Sequence, residues 1–365
     1  MTLLSRRSIV QGLVTASTAL ICPSRSAAQA AKTASPRKAE ISQFDLSLLG
    51  ECHTPNELFF VREHLPAPSI AAENWTLEIA GAIANPFVIS YEELLQQPRE
   101  TLAATLECAE NPAGGGLVSH AEWVGVSLRK LLEKAAPSDD ARFVRLHGFD
   151  GNPDGGVSYF RSIPLEKATH PMTLLAHRMN GARLPMEHGF PLRAIIPGWY
   201  GMDWVKWLRQ VEVTREDDAA QPSAARYVRQ VRSMLRGSRT EGPVREICVK
   251  SVFSRPMDGA ILRGRRFVIR GAAWTGEGSV QEVEISTDGG GTWHTAPLSA
   301  SGCRAPQPYA WVLWAYDWTI PGPGEYSLVA RAKDDKGRFQ PAERPSERLD
   351  PYECNQWNRI GVTVV

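Results

Sequence analysis

Residues 105–116 read Thr-Leu-Glu-Cys-Ala-Glu-Asn-Pro-Ala-Gly-Gly-Gly, with one cysteine, Cys108, at the start of a Pro/Gly-rich turn. An apolar run with strand character over residues 102–106 delivers that cysteine. Glycine permits backbone conformations and close approaches that a side chain blocks. A thiol held there can present its sulfur to a metal or a large cofactor. Taken alone, the same cysteine also reads as a small buried hydrophobe at a strand end.

Two further stretches carry chemistry. His188-Gly-Phe-Pro-Leu-Arg193 is followed closely by Trp204-Val205-Lys206-Trp207. Their cationic or ionisable donors alternate with glycine and apolar residues around tight turns, a pattern suited to a polyanionic ligand such as a phosphate-bearing cofactor. A buried strand pair with edge charges has the same composition. Phe60-Val61-Arg62-Glu63-His64 sets an arginine and a histidine on a strand-like piece that Pro66 and Pro68 close.

The elements that must position these residues are short. Residues 75–79 alternate as a half-buried strand ended by Ala80-Gly81. Residues 91–95 read as a helix behind Ser90 as N-cap, and residues 128–134 as another behind Ser127. Residues 142–146 form an expected strand running into a turn-rich loop over 147–156 that contains Asp150. Residues 165–169 and 172–179 are expected as short helices, with Asn180-Gly181 a turn. Strands and helices without a βαβ rhythm predict an α+β fold. No Gly-x-Gly-x-x-Gly motif supports a dinucleotide fold. Residues 215–242 turn polar and arginine-rich, as a linker. Beyond them, short alternating segments at 244–247, 267–270, 280–285, 311–314, 326–330 and 360–365 are separated by Gly/Pro turns. That spacing predicts an all-β, immunoglobulin-like sandwich.

The chain's 365 residues leave room for two such domains. A net charge of +1 gives no reason to expect a nucleic acid or an anionic membrane as partner. At the N-terminus, Ser5-Arg6-Arg7-Ser8-Ile9-Val10 opens an apolar run to about Ile21, and Ala28-Gln29-Ala30 supplies small residues for a signal peptidase. The run is too short to span a membrane. The paired arginines resemble a twin-arginine signal, the bacterial route for proteins exported already folded; an ordinary secretion signal is the alternative. Leu20-Ile21-Cys22 lacks the small residues of a lipoprotein anchor. The expectation is a periplasmic protein without a membrane anchor. Five cysteines follow the signal, and an odd number in an oxidising compartment leaves a thiol unpaired. None lies in a Cys-x-x-Cys pair.

From about Leu58 onward the chain resembles the sulfite oxidase family of molybdenum-cofactor enzymes. The likeness rests on motifs in order: Phe60-Val-Arg-Glu-His64, Leu106-Glu-Cys108-Ala-x-Asn111, Ala121-Glu-Trp-x-Gly125-Val, His188-Gly-Phe-Pro-x-Arg193 and Trp204-Val-Lys206-Trp207. Residues 283–293 and Tyr309-Ala-Trp-x-x-Trp314 extend it into the second half. Ahead of the stretch covered by the resemblance, the residues themselves read as a signal peptide at 1–30 and a flexible lead-in at 31–43. The resemblance implies a molybdopterin-binding α+β domain at 44–214, a linker at 215–242 and an immunoglobulin-like dimerisation domain at 243–365.

By the same resemblance, Cys108 is the thiolate ligand of molybdenum, held together with molybdopterin. Phe60, His64, Asp150, His188, Arg193, Trp204, Val205 and Lys206 match positions that contact the cofactor. Arg62 matches an arginine facing a small oxyanion substrate, and Tyr227 is the nearest candidate for a pocket tyrosine. The implied reaction is oxygen-atom transfer that oxidises sulfite to sulfate, with electrons leaving singly to a periplasmic c-type cytochrome. A homodimer is implied by the second domain.

Two departures open an alternative. Pro112-Ala113 follows Asn111 where the family carries arginines, and Val312 replaces another between the tryptophans. Losing fixed cations from a partly dry pocket weakens the binding of a dianion. The same cofactor and fold could then oxidise sulfane or organic sulfur, or reduce an S- or N-oxide. Arg226, Arg229 and Arg232 are candidates to restore the charge. A third reading, a secreted binding module, rests on the sandwich alone.

Overall fold

The structure, a computed structural model, describes residues 40–151, 158–217, 227–233, 237–299 and 307–365. The export segment and most of the lead-in lie outside the described residues.

Two sheets build the first half. One runs in the order Ala182–Arg183, Leu174–Met179, Val118–Ser127, Arg99–Glu107, with Arg193–Ile195 also paired to Leu174–Met179. The other runs Phe87–Ser90, Thr76–Gly81, Leu208–Thr214, Phe143–Gly151, Ser158–Pro164. Alternation decides the faces as expected: Leu77 and Ile79 are fully buried while Thr76 and Glu78 face out. The helix Tyr91–Leu95 begins with a complete capping box between Ser90 and Glu93. Leu128–Ala135 follows Ser127, and its Leu128, Leu131, Leu132 and Ala135 form the buried stripe.

Five expectations need correction. Residues 172–179 do not form a helix; Leu174–Met179 is a strand hydrogen-bonded on both sides, to Val118–Ser127 and to Arg193–Ile195. Its Leu, Ala and Met favour helices, and central burial between two partners overrides that preference. The stretch from His147 continues as strand to Gly151, because Leu208 and Gln210 pair with Gly148 and His147. The supposed linker contains a hairpin, Val228–Ser233 with Gly237–Pro243. Residues 244–247, read as a strand, make only an isolated bridge from Glu246 to Trp199. The lead-in also has structure at its end, where Ile41–Ser42 pairs with Val61–Arg62.

The second half is a sandwich. One sheet orders Lys250–Arg255, Arg266–Trp274, Val312–Thr319, Leu298–Ser299. The other orders Ala260–Leu262, Asn358–Val364, Gly324–Asp334, Val280–Ser286, His294–Thr295. Val283, Ile285, Trp314, Leu328 and Ala330 are among the residues filling the space between them. A third apolar cluster joins the halves: Ala109 and Val118 meet Val252, Trp274, Trp311 and Tyr352. The chain beyond residue 30 is accordingly one compact unit. No helix among the described residues is long and apolar enough to cross a membrane.

Candidate active site

Cys108 sits one residue beyond the strand Arg99–Glu107, where the chain must reverse to enter Val118–Ser127. The reversal is fixed by hydrogen bonds. Cys108 N donates to Leu117 O at 2.9 Å, and Asn111 N to Cys108 O at 2.9 Å. The Asn111 side chain accepts from Leu117 N at 3.0 Å and donates to Glu107 Oε1 at 2.9 Å. Gly116 packs so tightly that an added Cβ would lie 2.1 Å from the Phe44 carbonyl oxygen. This is the close approach for which the glycine-rich turn is needed. The thiol is free and buried, and burial pushes it up to about 11. Cys248 and Cys354 are also free, whereas Cys52 is disulfide-bonded.

Cys108 lines a cavity that is partly open to solvent. Phe60, Arg62, His64, His188, Arg193, Trp204, Val205, Lys206 and Tyr227 line the same cavity, so every predicted site residue except Asp150 meets there. Asp150 is buried just behind the wall: a Cβ on Gly148 would fall 2.2 Å from its Oδ1 and 3.0 Å from the Lys206 carbonyl oxygen.

One end of the cavity holds two cations, Lys206 paired with Glu63 and Arg193 with no carboxylate partner among the described residues. Arg193 is buried; its Nη1 donates to His188 O at 3.0 Å and its Nη2 to Trp204 O at 3.2 Å. Its Nε has no partner, its guanidinium lies 5.0 Å from the Trp123 ring centre, and burial lowers it to about 9. Gly189 makes room for this group, since a Cβ there would lie 3.1 Å from the Cβ atoms of both Arg193 and Lys206. Lys206 Nζ donates to Glu187 O at 2.9 Å and reaches Glu63 at 3.3 Å. Burial pulls Lys206 down to about 8 against the attraction of Glu63. His188 Nε2 lies 2.9 Å from the Asn56 carbonyl oxygen, so it donates and Nδ1 is left as an acceptor. Burial holds this ring neutral, lowering it to about 4. Asp150 Oδ1 has no partner, and burial raises its carboxyl to about 7.

Towards the other end, Arg62 and Arg161 are each paired with a carboxylate. Arg62 Nη2 and Nε both donate to Glu110 Oε2, at 2.9 and 3.3 Å, and its Nη1 donates to Glu63 O at 2.9 Å. Arg161 Nε lies 2.7 Å from Asp203 Oδ1 and stands 5.6 Å from the Tyr227 ring centre. Tyr227 and His64 share a hydrogen bond between Oη and Nε2, and Tyr227 also packs on Tyr352. Tyr159 stacks on His64 and donates to Met202 O at 2.7 Å. Ala113 and Val312 do not line the cavity; Val312 packs in the sandwich core. Arg229 is paired with Glu353 at 2.6 Å, Arg232 is exposed, and Arg226 lies outside the described residues. None of the described candidates therefore restores a cation. Sequence reasoning passed over Glu110, whose place two residues from the thiol was the available signal. It also passed over Tyr159, which on a strand reads as core.

The donor groups in and behind this cavity suit a pterin with a phosphate and a thiolate-bound metal. The free thiol offers a soft ligand that a metal ion deprotonates. The unpartnered Arg193 Nε and Asp150 Oδ1 are polar groups that the protein alone leaves unsatisfied.

Residues 64–222 match the oxidoreductase molybdopterin binding domain, and residues 242–365 match the Mo-co oxidoreductase dimerisation domain. The sulfite oxidase of Gallus gallus is 34% identical over 331 residues, covering 84% of this chain and 72% of its relative. The chain belongs to the sulfite oxidase family. Its cofactor is molybdenum with molybdopterin, as the sequence motifs imply. The mitochondrial sulfite oxidase of Macaca fascicularis is 33% identical over 336 residues, covering 85% of this chain. The chain spans 62% of the length of that relative. Among solved structures, the sulfane dehydrogenase SoxCD of Paracoccus pantotrophus superposes with a TM-score of 0.78 at 28% identity. The match covers 88% of this chain and 84% of that one.

Proposed function

We propose that this member of the sulfite oxidase family oxidises a sulfur substrate at the Cys108 pocket and passes the electrons to a c-type cytochrome. The carrying observation is that a free thiol, an uncompensated Arg193 and a His64–Tyr227 pair share one cavity. In this reading Cys108 is the metal ligand. His188, Arg193, Lys206 and Asp150, with Phe60, His64, Trp204 and Val205, hold the pterin and its phosphate. Arg193 and Lys206 supply charge to the phosphate. Asp150, titrating near neutrality, can both donate to and accept from a heterocycle edge. When bound, the group supplies oxygen-atom transfer and takes up two electrons. Arg62 and Tyr227 orient the substrate, and Tyr227 Oη and His64 Nε2 hold a proton between them. Export by the twin-arginine route to the periplasm and assembly as a homodimer complete the proposal.

Two sulfur substrates are in view. Sulfite follows from the sulfite oxidases the chain resembles. A sulfane-type sulfur follows from the likeness to a sulfane dehydrogenase and from the Glu110 carboxylate on Arg62. The geometry favours the second, because a neutralised arginine offers little to a dianion. The deciding experiment assays purified protein, with its molybdenum and pterin content measured, against sulfite and glutathione persulfide with cytochrome c as acceptor. A kcat/KM for persulfide above that for sulfite is the expected result. The reverse order returns the assignment to sulfite, and protein without molybdenum when produced with a cofactor supply removes both.

A further inference from the structure

We infer that Glu110 sets the charge class of the substrate, admitting sulfur groups with at most one negative charge and turning away free dianions. The inference deepens, and rests on, the reading of the Cys108 pocket as a sulfur-oxidising site. Arg62 lines that pocket, yet all three of its guanidinium nitrogens are engaged by the protein: two by Glu110, one by the Glu63 carbonyl. The ion pair is only partly exposed, at 17% and 23% of the side chains, so bulk solvent screens it incompletely. Glu110 does not arrive by chance. Asn111 N donates to Cys108 O at 2.9 Å, and this short turn holds the carboxylate two residues from the thiol.

The neighbouring cation is cancelled too. Arg161 is bound to Asp203 at 2.7 Å, with both side chains almost wholly buried. Arg62 and Arg161 thus each hold a carboxylate, while Arg193 at the other end has none among the described residues. Among the described residues, Arg193 lacks a carboxylate where a phosphate would lie, whereas Arg62 is paired where a substrate would enter. A dianion entering beside the Arg62–Glu110 pair loses hydration and meets a cation whose donors are already engaged, whereas a neutral or singly charged sulfur loses far less. Because Arg62 itself lines the pocket, removing the carboxylate that engages two of its nitrogens frees donors with the geometry for an oxyanion.

The test uses holoenzyme and reads equilibrium binding by calorimetry, with sulfate as dianion and dimethyl sulfone as its neutral counterpart. In Glu110→Gln, sulfate affinity is expected to rise at least about tenfold with a steeper salt dependence, and dimethyl sulfone affinity to stay within about twofold. The double variant Arg62→Gln/Glu110→Gln should lose the gain. Unchanged sulfate affinity in Glu110→Gln, or an equal gain for both ligands, overturns the inference. Binding is read without turnover, so a failure of the charge filter stays distinct from a failure to oxidise persulfide or sulfite.

Discussion

A thiol that burial holds near 11 is protonated at neutral pH unless a metal takes the proton's place, so Cys108 is chemically idle without its cofactor. Serine in its place keeps the volume and lacks the soft donor. Cys108→Ser is therefore expected to retain pterin, through Arg193, Lys206 and His188, while molybdenum content and kcat fall at least about a hundredfold. The check is the molybdenum-to-pterin ratio by elemental and fluorescence analysis alongside turnover. A variant with full metal content and wild-type rates would remove Cys108 from the ligand set. Tyr227→Phe probes the other end: the ring keeps its contacts with Tyr352 and Arg161, and the hydroxyl on His64 is lost. One hydrogen bond at a reacting centre corresponds to about a tenfold loss in kcat/KM at unchanged metal content. Wild-type kcat/KM in that variant would show the hydroxyl to be packing only.

The Cys108 turn is held by elements from both halves of the molecule. Glu107 ends the strand Arg99–Glu107 fully buried. It accepts from Lys250 Nζ at 2.5 Å and from Trp274 Nε1 at 2.7 Å, at the start and end of two sandwich strands. Removing one partner of such a buried pair strands a charge. Lys250→Met is expected to lower stability by about 3–5 kcal/mol, and adding Glu107→Gln should recover most of it. Urea unfolding of the two single variants and the double variant checks this; additive losses would mean the residues act independently. The clamp also marks where sequence reading stops. Cys108, His188, Arg193 and Lys206 could be placed because each stands in a local motif with its own turn residues. Lys250 could not, since its partner is 143 positions away and nothing in Val249-Lys250-Ser251 signals burial of a charge. The same limit applies to Leu174–Met179, whose composition favours a helix until two neighbouring strands claim its backbone. Glu110 differs again: it lies inside a motif, but its meaning depends on Arg62 arriving from 48 positions upstream.

Across the whole chain, acid sensitivity is set by groups outside the cavity as well as within it. His120 and His177 are both buried in the first half, and each has an Nε2 without a partner. Burial is the main cause that lowers His120 to about 3 and His177 to about 4, helped by His53 beside the first and by Arg99 and Arg178 beside the second. Unfolded, these rings take up protons near the ordinary histidine value of about 6.5. Between that value and about 4 the unfolded chain binds more protons than the folded one, so stability is full above the window and drains away as pH falls through it. Asp150 works the other way: raised to about 7, it keeps a proton in the fold that the unfolded chain releases, and so favours folding at the acid end. The net slope mixes these terms, and a single substitution separates one of them. In cofactor-free protein, His177→Leu should flatten the stability-versus-pH curve by about 1.4 kcal/mol per pH unit between about pH 6.5 and 4. Urea midpoints measured across that range for wild type and variant supply the test, and parallel curves would mean His177 titrates normally. His120 carries the same strain into the domain contact, because its ring stacks on Trp311 from the sandwich with centroids 5.5 Å apart. Protonating it loosens one half and its grip on the other together, so far-UV and tryptophan signals should report the same acid midpoint.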